Sequence, residues 1–538
     1  YITLLLLSLI TSCGEREKLN VELFSAGAKI SGVNGIHFGP DGYLYATSVI
    51  GSDISVVDTE SKKIIKRYGP EEGVFGPDDV AFNNEGEFYW TTILTGEVAG
   101  FNSEGKKIIA ANLGPGVNPI TFSDDGRLFV AQCFYDDGLF EVDPLGIGEP
   151  RSIKEGLGPY CGLNGMDWGP DGRLYGPRWF KNEVVSLNVD TGEMRVEATG
   201  LNVPAAVKFD SNGILHILDT ADGKVLKVID GELVTIANLL TGLDNFAFND
   251  KDEIFVSSYA DGSILKVNGD NTEEILPGGI SHPGGLAVYK DSLVIADIQS
   301  VRSFNINNRN QDWVLRNIFR ASPLGANTSA AILDDYVLLT SWVDNTVKIL
   351  NPENGKIVKS FEGLNIPVST AKFKDSYAVA LHGNSSISIL NDDGSLDILS
   401  DDFDSPTHVI PYKDGLLVSD RNRGEVVMIS SSGDKNILIS GLDSPEGIAF
   451  IDDTIFVYEG DTGEIKSIFD NKISVIANLS AGSPAASPLQ PPSMVFNGIV
   501  AHKGNIFATD EMLSLIHISE PTRRRGIAVA RVGVEKKV

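Results

Sequence analysis

Acidic and amide side chains recur at one position of a repeated pattern in the first half of the chain. Each lies two residues before the first apolar residue of a short hydrophobic segment, at Asn34, Asp78, Asn118, Asn164 and Asp244. Carboxylate and amide oxygens are the ligands that calcium and similar hard cations prefer. These five residues are therefore the candidate ligands of Ca²⁺ or another divalent cation, if the fold brings them together.

Two of these residues, Asp78 and Asp244, are also candidate catalytic groups. Neighbouring carboxylates repel each other without a cation, which raises one pKa and suits a general base. The same pattern fits a simpler interpretation, in which a ring of polar groups solvates a water-filled channel. In that case Asn-Gly pairs would serve the geometry of the turn.

The hydrophobic segments that carry these residues repeat about every forty residues. The first apolar residues of the twelve copies are Ile36, Val80, Ile120, Met166, Val207, Phe246, Leu286, Ala330, Ala371, Val409, Ile448 and Ile499. Each copy contains a turn, an apolar strand, an acidic or glycine turn and a second apolar strand. This period and pattern are typical of β-propeller blades, and the apolar runs are too short for helical repeats.

The sequence predicts an all-β protein of two tandem β-propellers, because single propellers typically close with four to eight blades. Six blades each fits best, although seven plus five remains open. Val21 to Ser25 is predicted as the outer strand of the sixth blade, which closes the first ring. The expected division is a signal and anchor segment at 1–18, propeller 1 at 19–269, propeller 2 at 270–512 and a non-native tail at 513–538.

The tail supports the last of these boundaries. Residues 514–524 resemble translated sequencing-adapter read-through, and the tail from Leu513 is basic in an otherwise acidic chain. Because this segment interrupts the twelfth repeat after Asp510, the second propeller is predicted to be incomplete at its C-terminal end. An incomplete ring would leave an unpaired edge strand.

The N-terminal segment predicts export. Ile2 to Ile10 is an uncharged apolar run of signal-peptide length. It leads into Ile10-Thr11-Ser12-Cys13-Gly14, which resembles the lipobox of bacterial lipoproteins. That resemblance implies lipidation of Cys13 and a periplasmic or outer-surface location, with membrane contact through the lipid only. An ordinary secretory signal is the alternative.

Charge limits the partners. The chain has 44 basic and 73 acidic residues and a net charge of −29. Nucleic-acid binding requires a basic surface, and none is visible in the sequence. The expected partners are a small molecule or an envelope protein, and the expected state is a monomer.

The segment Asn164 to Tyr175 (Asn-Gly-Met-Asp-Trp-Gly-Pro-Asp-Gly-Arg-Leu-Tyr) resembles the senescence-marker-protein and gluconolactonase family of six-bladed propellers, which are NHL-like in their repeat. The resemblance implies one divalent cation at the channel mouth, held by a Glu, an Asn and an Asp, and hydrolysis of sugar lactones. Asn164 matches the family Asn. Streptogramin lyases share the repeat but need a His at the mouth, where the first ring offers none.

The other two metal positions depart from the family pattern. Asp78, in Gly76-Pro77-Asp78-Asp79, resembles the Asp element but precedes Asn164 instead of following it. Asp244 has the right order but lacks the Pro and Gly. Asn34 stands where the family has its Glu, and Glu446 resembles that Glu but lies in the second ring.

Residues that end the second strand of each blade are expected to rim the same mouth. Among them Gln132, Arg178, Trp179 and Tyr259 are candidate ligand-binding residues. Arg178 beside Trp179 could bind an anionic or sugar-like molecule through a charged hydrogen bond and ring stacking. A surface arginine above an interblade tryptophan is the alternative.

The two remaining cysteines, Cys133 and Cys161, fall on neighbouring blades at the predicted mouth. An exported protein permits a disulfide between them, whereas two free buried thiols are the alternative. The sequence therefore favours an exported, lipid-anchored tandem propeller that acts as a ligand-binding or protein-binding scaffold. A metal-dependent lactonase in the first ring is the second interpretation.

Overall fold

The computed structural model describes residues 20–470, 472–479, 498–510 and 514–519. This part of the chain forms twelve antiparallel sheets of four strands each, which confirms the all-β class and the tandem propeller architecture. Three short 3₁₀ turns lie at Pro70–Glu72, Trp179–Lys181 and His382–Asn384. No helical segment in the described ranges has the length and hydrophobicity needed to cross a bilayer.

The first ring contains blades 1 to 6. Their strands are, in blade 1, β2 (Ile36–Phe38), β3 (Leu44–Ser48), β4 (Asp53–Asp58) and β5 (Lys63–Tyr68); in blade 2, β6 (Pro77–Phe82), β7 (Phe88–Thr92), β8 (Glu97–Phe101) and β9 (Lys107–Asn112); in blade 3, β10 (Val117–Phe122), β11 (Leu128–Gln132), β12 (Leu139–Val142) and β13 (Arg151–Lys154); in blade 4, β14 (Asp167–Trp168), β15 (Leu174–Arg178), β16 (Glu183–Leu187) and β17 (Met194–Ala198); in blade 5, β18 (Pro204–Phe209), β19 (Leu215–Asp219), β20 (Lys224–Ile229) and β21 (Glu232–Asn238); in blade 6, β22 (Leu243–Phe248), β23 (Ile254–Ser258), β24 (Ile264–Asn268) and β25 (Asn271–Leu276).

The second ring contains blades 7 to 12. Their strands are, in blade 7, β26 (Pro283–Tyr289), β27 (Ser292–Asp297), β28 (Ser300–Asn305) and β29 (Gln311–Arg316); in blade 8, β30 (Ser329–Leu333), β31 (Tyr336–Ser341), β32 (Thr346–Asn351) and β33 (Lys356–Phe361); in blade 9, β34 (Pro367–Phe373), β35 (Ser376–Leu381), β36 (Ser386–Leu390) and β37 (Leu396–Ser400); in blade 10, β38 (Pro406–Tyr412), β39 (Gly415–Asp420), β40 (Glu425–Ile429) and β41 (Lys435–Ile439); in blade 11, β42 (Pro445–Ile451), β43 (Thr454–Glu459), β44 (Glu464–Phe469) and β45 (Lys472–Asn478); in blade 12, β46 (Ile499–His502), β47 (Asn505–Asp510), β48 (Ser514–Ser519) and β1 (Asn20–Ala26).

The Asn-Gly pairs that open inner strands are explained by close packing between blades. A Cβ atom on Gly35 would lie 2.6 Å from the Cα of Asp79, and one on Gly165 would lie 2.6 Å from the Cα of Ala206. Only glycine permits this approach of one inner strand to the next. The positive φ angles occur instead in the following turns, as at Gly42 (φ 81°).

The first ring closes with strands that follow one another along the chain, from β2 to β25. Its inner strands β2 and β22 contact each other directly. The Ser257 hydroxyl donates a hydrogen bond of 2.6 Å to the carbonyl of Asn34, and the Asn34 amide donates one of 3.0 Å to Asp244. Side chains of the channel mouth therefore also fasten blade 6 to blade 1.

The second ring closes when strand β1, near the start of the described chain, pairs with strand β48 near its end. Strand β1 pairs with β48, with Val21 opposite Ile518 and Leu23 opposite Ile516. The ring of Phe24 packs edge-on against Phe507 at 5.7 Å between centroids. The first ring is therefore inserted into the chain of the second, between β1 and β26.

This topology corrects three sequence predictions. The strand at Val21 to Ser25 belongs to blade 12 and not to blade 6, because the outer strand of blade 6 is β25. The chain passes between rings after Leu276 and not at Gly269. The second ring is complete, since residues 514–519, which were assigned to a non-native tail, form the third strand of its last blade. The signal segment and Cys13 lie outside the described residues.

Candidate functional site

Blades 7 and 8 of the second ring lie over the mouth of the first ring, and the two rings line a partly open chamber of about 230 Å³. Its floor consists of residues at the start of inner strands of the first ring. Its walls are loops that follow the second strands of blades in both rings. Its lining includes Asn34, Val49, Ile50, Asp78, Ile93, Leu94, Asn118, Phe134, Trp179, Asp244, Tyr259, His282, Gln299, Phe319, Arg320 and Trp342.

The walls are apolar because of a shared position in the repeat. One or two residues after the second strand, five blades of the first ring carry a large apolar side chain: Val49, Ile93, Phe134, Trp179 and Tyr259. Blades 7 and 8 carry Ile298 and Trp342 directly after that strand. Blades 9 to 11, which face away from the chamber, have His382, Arg421 and Gly460 there instead.

A loop of the second ring at residues 317–324 reaches into the first ring. The Tyr259 hydroxyl donates a 2.6 Å hydrogen bond to the Asn317 carbonyl and accepts one of 2.8 Å from the Phe319 amide. Phe319 packs edge-on against Phe134 at 4.8 Å, and Arg320 donates to the Phe134 carbonyl. This loop therefore forms a cover over part of the mouth.

Ion pairs and paired linkers hold the two rings together. Arg316 donates a 2.6 Å hydrogen bond to Asp261 across the interface, and Arg302 donates one of 3.2 Å to the Ala260 carbonyl. The two crossing segments also run in parallel, with the Ala28 amide donating to the Ile280 carbonyl at 2.8 Å. The chamber is thus defined by a fixed arrangement of both rings.

The floor brings together Asn34, Asp78, Asn118 and Asp244. The Asn34 amide donates to Asp244, and its oxygen accepts a 3.1 Å hydrogen bond from the Val49 amide. Asp78 is only 5% exposed, and no described residue donates a hydrogen bond to its carboxylate. The floor therefore carries two neighbouring carboxylates, one of which has no polar partner among the described residues.

Burial dominates the electrostatics of the floor. Desolvation raises the pKa of Asp78 well above its usual value, and the charges of Asp244 and Asp79 raise it further. Desolvation also raises the pKa of Asp244 to about 7, although the hydrogen bond from Asn34 opposes the shift. Near neutral pH, this pair can thus hold or release a proton.

A second polar layer supports the floor from below. The carboxylate of Asp79 accepts hydrogen bonds from the amides of Val80 and Ile120 and from the Asn245 side chain, at 2.9–3.3 Å. Burial raises its pKa to about 6, and the charge of Lys208 partly offsets this shift. These bonds occupy Asp79, so its role is to position neighbouring inner strands.

Three predicted site residues lie outside the chamber lining. The Asn164 amide oxygen accepts a 3.0 Å hydrogen bond from the Gly165 amide, and Gln132 donates to the Leu113 carbonyl at 3.1 Å. Arg178 forms a 2.7 Å ion pair with Glu183. Gln132 and Arg178 end second strands and bond to groups outside the mouth, whose walls begin one or two residues later.

Phe134 was missed because it lies two residues after the end of β11, beyond the strand-end position used in the prediction. Cys133 and Cys161 form a disulfide at this point, which joins the loop after β11 to the loop that enters blade 4. The Phe134 amide also donates to the Tyr160 carbonyl. The disulfide therefore fixes the segment on which the 317–324 loop rests.

The second ring differs at the equivalent floor position. Glu446 is buried there, and Arg421 donates to its carboxylate at 3.1 Å. Arg421 also pairs with Asp461. Thr407 and Ser419, which lie beside them, are hydrogen-bonded to each other at 2.9 Å. This mouth neutralises its buried carboxylate with its own cation.

No protein-family model and no curated protein matches this chain. Among solved structures, a streptogramin B lyase is 18% identical, covering 52% of this chain and 95% of the lyase, with a TM-score of 0.38. Virginiamycin B lyase from Staphylococcus aureus is 13% identical, covering 59% and 94%, with a TM-score of 0.30. The extracellular domain of BT3049 from B. thetaiotaomicron, described as a hybrid two-component system, is 11% identical, covering 94% and 83%, with a TM-score of 0.35. These TM-scores carry no argument about function, and the β-propeller class rests on the twelve sheets.

Proposed function

We propose that this protein is an exported binding module that holds a small organic molecule in the chamber between its two rings. The chamber itself is the observation that carries this proposal. It combines buried polar groups with aromatic walls, which is the composition typical of ligand sites. The Cys133–Cys161 disulfide supports an oxidising compartment, and the lipobox resemblance at Cys13 supports attachment to a membrane.

A blocked chamber tests this proposal. Leu94 lines the chamber and is half-buried, so Leu94→Trp should fill it without burying a charge. The matched control is Leu145→Trp, at an exposed loop of blade 3. Native mass spectrometry after incubation with a small-molecule extract of bacterial cells should show a bound species on the wild type and control. Equal binding by Leu94→Trp, or no bound species on any form, would contradict the proposal.

A metal-dependent hydrolase in the first ring is the second candidate. Asp78 and Asp244 with the amides of Asn34 and Asn118 are oxygen donors of the right type for Ca²⁺, and an Asp with a raised pKa suits a general base. However, the described residues contain no group of three His, Cys, Asp or Glu side chains that could hold a metal ion. The donor set is therefore sparse, which places this candidate second.

Metal titration separates the two candidates. A rise in melting temperature with calcium, manganese or zinc that Asp244→Ala abolishes would favour the hydrolase. Lactone hydrolysis lost in the same variant would establish it. No shift with any of the three ions would remove it.

A further inference from the structure

Among the residues that the structure describes, no cationic side chain pairs with the carboxylates of the chamber floor. No described lysine, arginine or histidine forms an ion pair with Asp78 or Asp244, and a single amide donates to Asp244. Elsewhere, some buried carboxylates are paired with an arginine, as Asp297 is with Arg302 and Glu446 is with Arg421. Asp79 is satisfied by amide donors instead, and Asp219 accepts a hydrogen bond from the Asn202 amide. A buried, unpaired carboxylate is costly, and either protonation or a bound positive charge relieves that cost. Two such carboxylates that line one chamber form a site where a cation can bind.

The chamber is too large and too apolar for a bare metal ion to complete. Above the carboxylates lie the side chains of Phe134, Trp179, Tyr259, Phe319 and Trp342, contributed by both rings. Aromatic rings offer no ligands to a hard metal ion, which requires a shell of oxygen atoms. They do attract organic cations, because the face of each ring is electronegative.

The protein already places a cation on aromatic rings at the edge of this chamber. The Arg320 guanidinium lies 5.4 Å from the centroid of Tyr135 and 5.5 Å from that of Phe319. Its hydrogen bond to the Phe134 carbonyl holds it at the rim. Arg320 is exposed to solvent, so its own charge is screened from the buried floor.

From these observations, and given the binding function proposed above, we infer that the chamber binds an organic cation. Its ammonium group, either a protonated amine or a quaternary nitrogen, lies against Asp78 and Asp244. Its apolar part packs against the aromatic walls. Because the walls come from both rings, binding also holds the second ring on the first.

Choline and its neutral carbon isostere, 3,3-dimethylbutan-1-ol, test the charge directly. The two molecules have nearly the same shape, so a difference in affinity reports the positive charge. Titration of the full chain, followed by the fluorescence of Trp179 and Trp342 and by calorimetry, should show choline binding roughly tenfold more tightly. Equal affinity for the two molecules would overturn the inference that the chamber selects a cation, but not the proposal that it binds a small molecule. Absence of choline binding at millimolar concentration would also overturn it.

Substitutions show which residues are responsible for the preference for choline over its isostere. Asp78→Asn and Asp244→Asn should each weaken choline binding about tenfold and leave the isostere unchanged. Trp342→Leu keeps an apolar wall but removes a ring face, so it should weaken choline more than the isostere. Glu71→Gln, in the exposed 3₁₀ turn between blades 1 and 2, is the control that should change neither affinity. Unchanged choline affinity in both Asp variants would overturn the proposal, as would a calcium-induced stabilisation that only those variants lose.

Discussion

The two rings have the same blades but treat a buried carboxylate at the channel mouth in opposite ways. In the second ring, Arg421 neutralises Glu446, and neighbouring hydroxyls bond to each other. In the first ring, Asp78 and Asp244 face a chamber without a counterion among the described residues. The second mouth pairs its buried carboxylate with an arginine of the same ring, whereas the first mouth, on our proposal, is completed by a bound ligand.

Ring closure is the second difference, and breaking it should have the largest effect. Deletion of the chain up to Ala26 removes β1, which leaves the edge of β48 unpaired. Calorimetry and limited proteolysis should then show loss of the second-ring transition while the first ring stays folded. A truncation that ends at residue 19 is the control. Retention of a cooperative second-ring transition after the β1 deletion would contradict the observed pairing.

Replacement of Arg421 at the mouth of the second ring should cause the next largest loss of stability. Arg421→Met removes the arginine that pairs with buried Glu446, and loss of one member of a buried ion pair costs about 3–5 kcal/mol of unfolding free energy. Denaturant titration should show this cost, and Glu446→Gln added to the same chain should recover most of it. Lys503→Met, which breaks an exposed pair with Asp291, should change stability by about 0.5 kcal/mol or less. A small effect of Arg421→Met would show that the two mouths are not different in this respect.

The disulfide sharpens the comparison because it lies in the first ring only. Replacement of Cys133 and Cys161 by serine should cost up to about 3–4 kcal/mol in the chain-entropy description of a loop of this size. Ligand affinity should also fall, since Phe134 supports the 317–324 loop. Denaturant titration with and without reductant measures the first effect, and the double serine variant should not respond to reductant. A reductant effect confined to the second ring would be inconsistent with this assignment.

The smallest expected effect is the pH dependence of the first mouth. The folded-state pKa values of Asp78 and Asp244 lie above the usual carboxyl value, that of Asp244 at about 7. The folded protein therefore binds more protons than the unfolded chain between about pH 4 and 7, and stability falls as pH rises through this range. Asp244→Asn should flatten this fall and raise the melting temperature by about 2–4 °C at pH 8. A lower melting temperature for Asp244→Asn than for the wild type at pH 8 would contradict the raised pKa of Asp244.

The blades and the floor were predictable, because both follow from the repeat. The acidic and amide residues two positions before each inner apolar segment lie where a propeller mouth requires, and four of them meet in the chamber. Of the predicted wall residues, Trp179 and Tyr259 line the chamber, whereas Arg178 and Gln132 end strands and lie outside it. Phe134, two residues after Gln132, was not predicted and forms the wall there. The sequence signal for the walls is a large apolar residue one or two positions after the second strand, which recurs in five blades of the first ring.

Contacts between the rings could not be predicted from the repeat. The 317–324 loop and the pairing of Tyr259 with Asn317 depend on how two separate rings meet, which no period in the sequence encodes. Strand β1 was misplaced for a related reason. An edge strand with alternating apolar residues fits any open blade, and only the three-dimensional closure selects blade 12.

Because β1 and β48 lie at opposite ends of the described chain, synthesis separates them in time. About 490 residues are made between them, which takes roughly 25 to 100 s at typical elongation rates. Throughout that interval the first ring can fold, but the leading strand has no partner. Until residues 514–519 have been synthesised, the unpaired strand β1 must therefore be kept from pairing with strands of other chains.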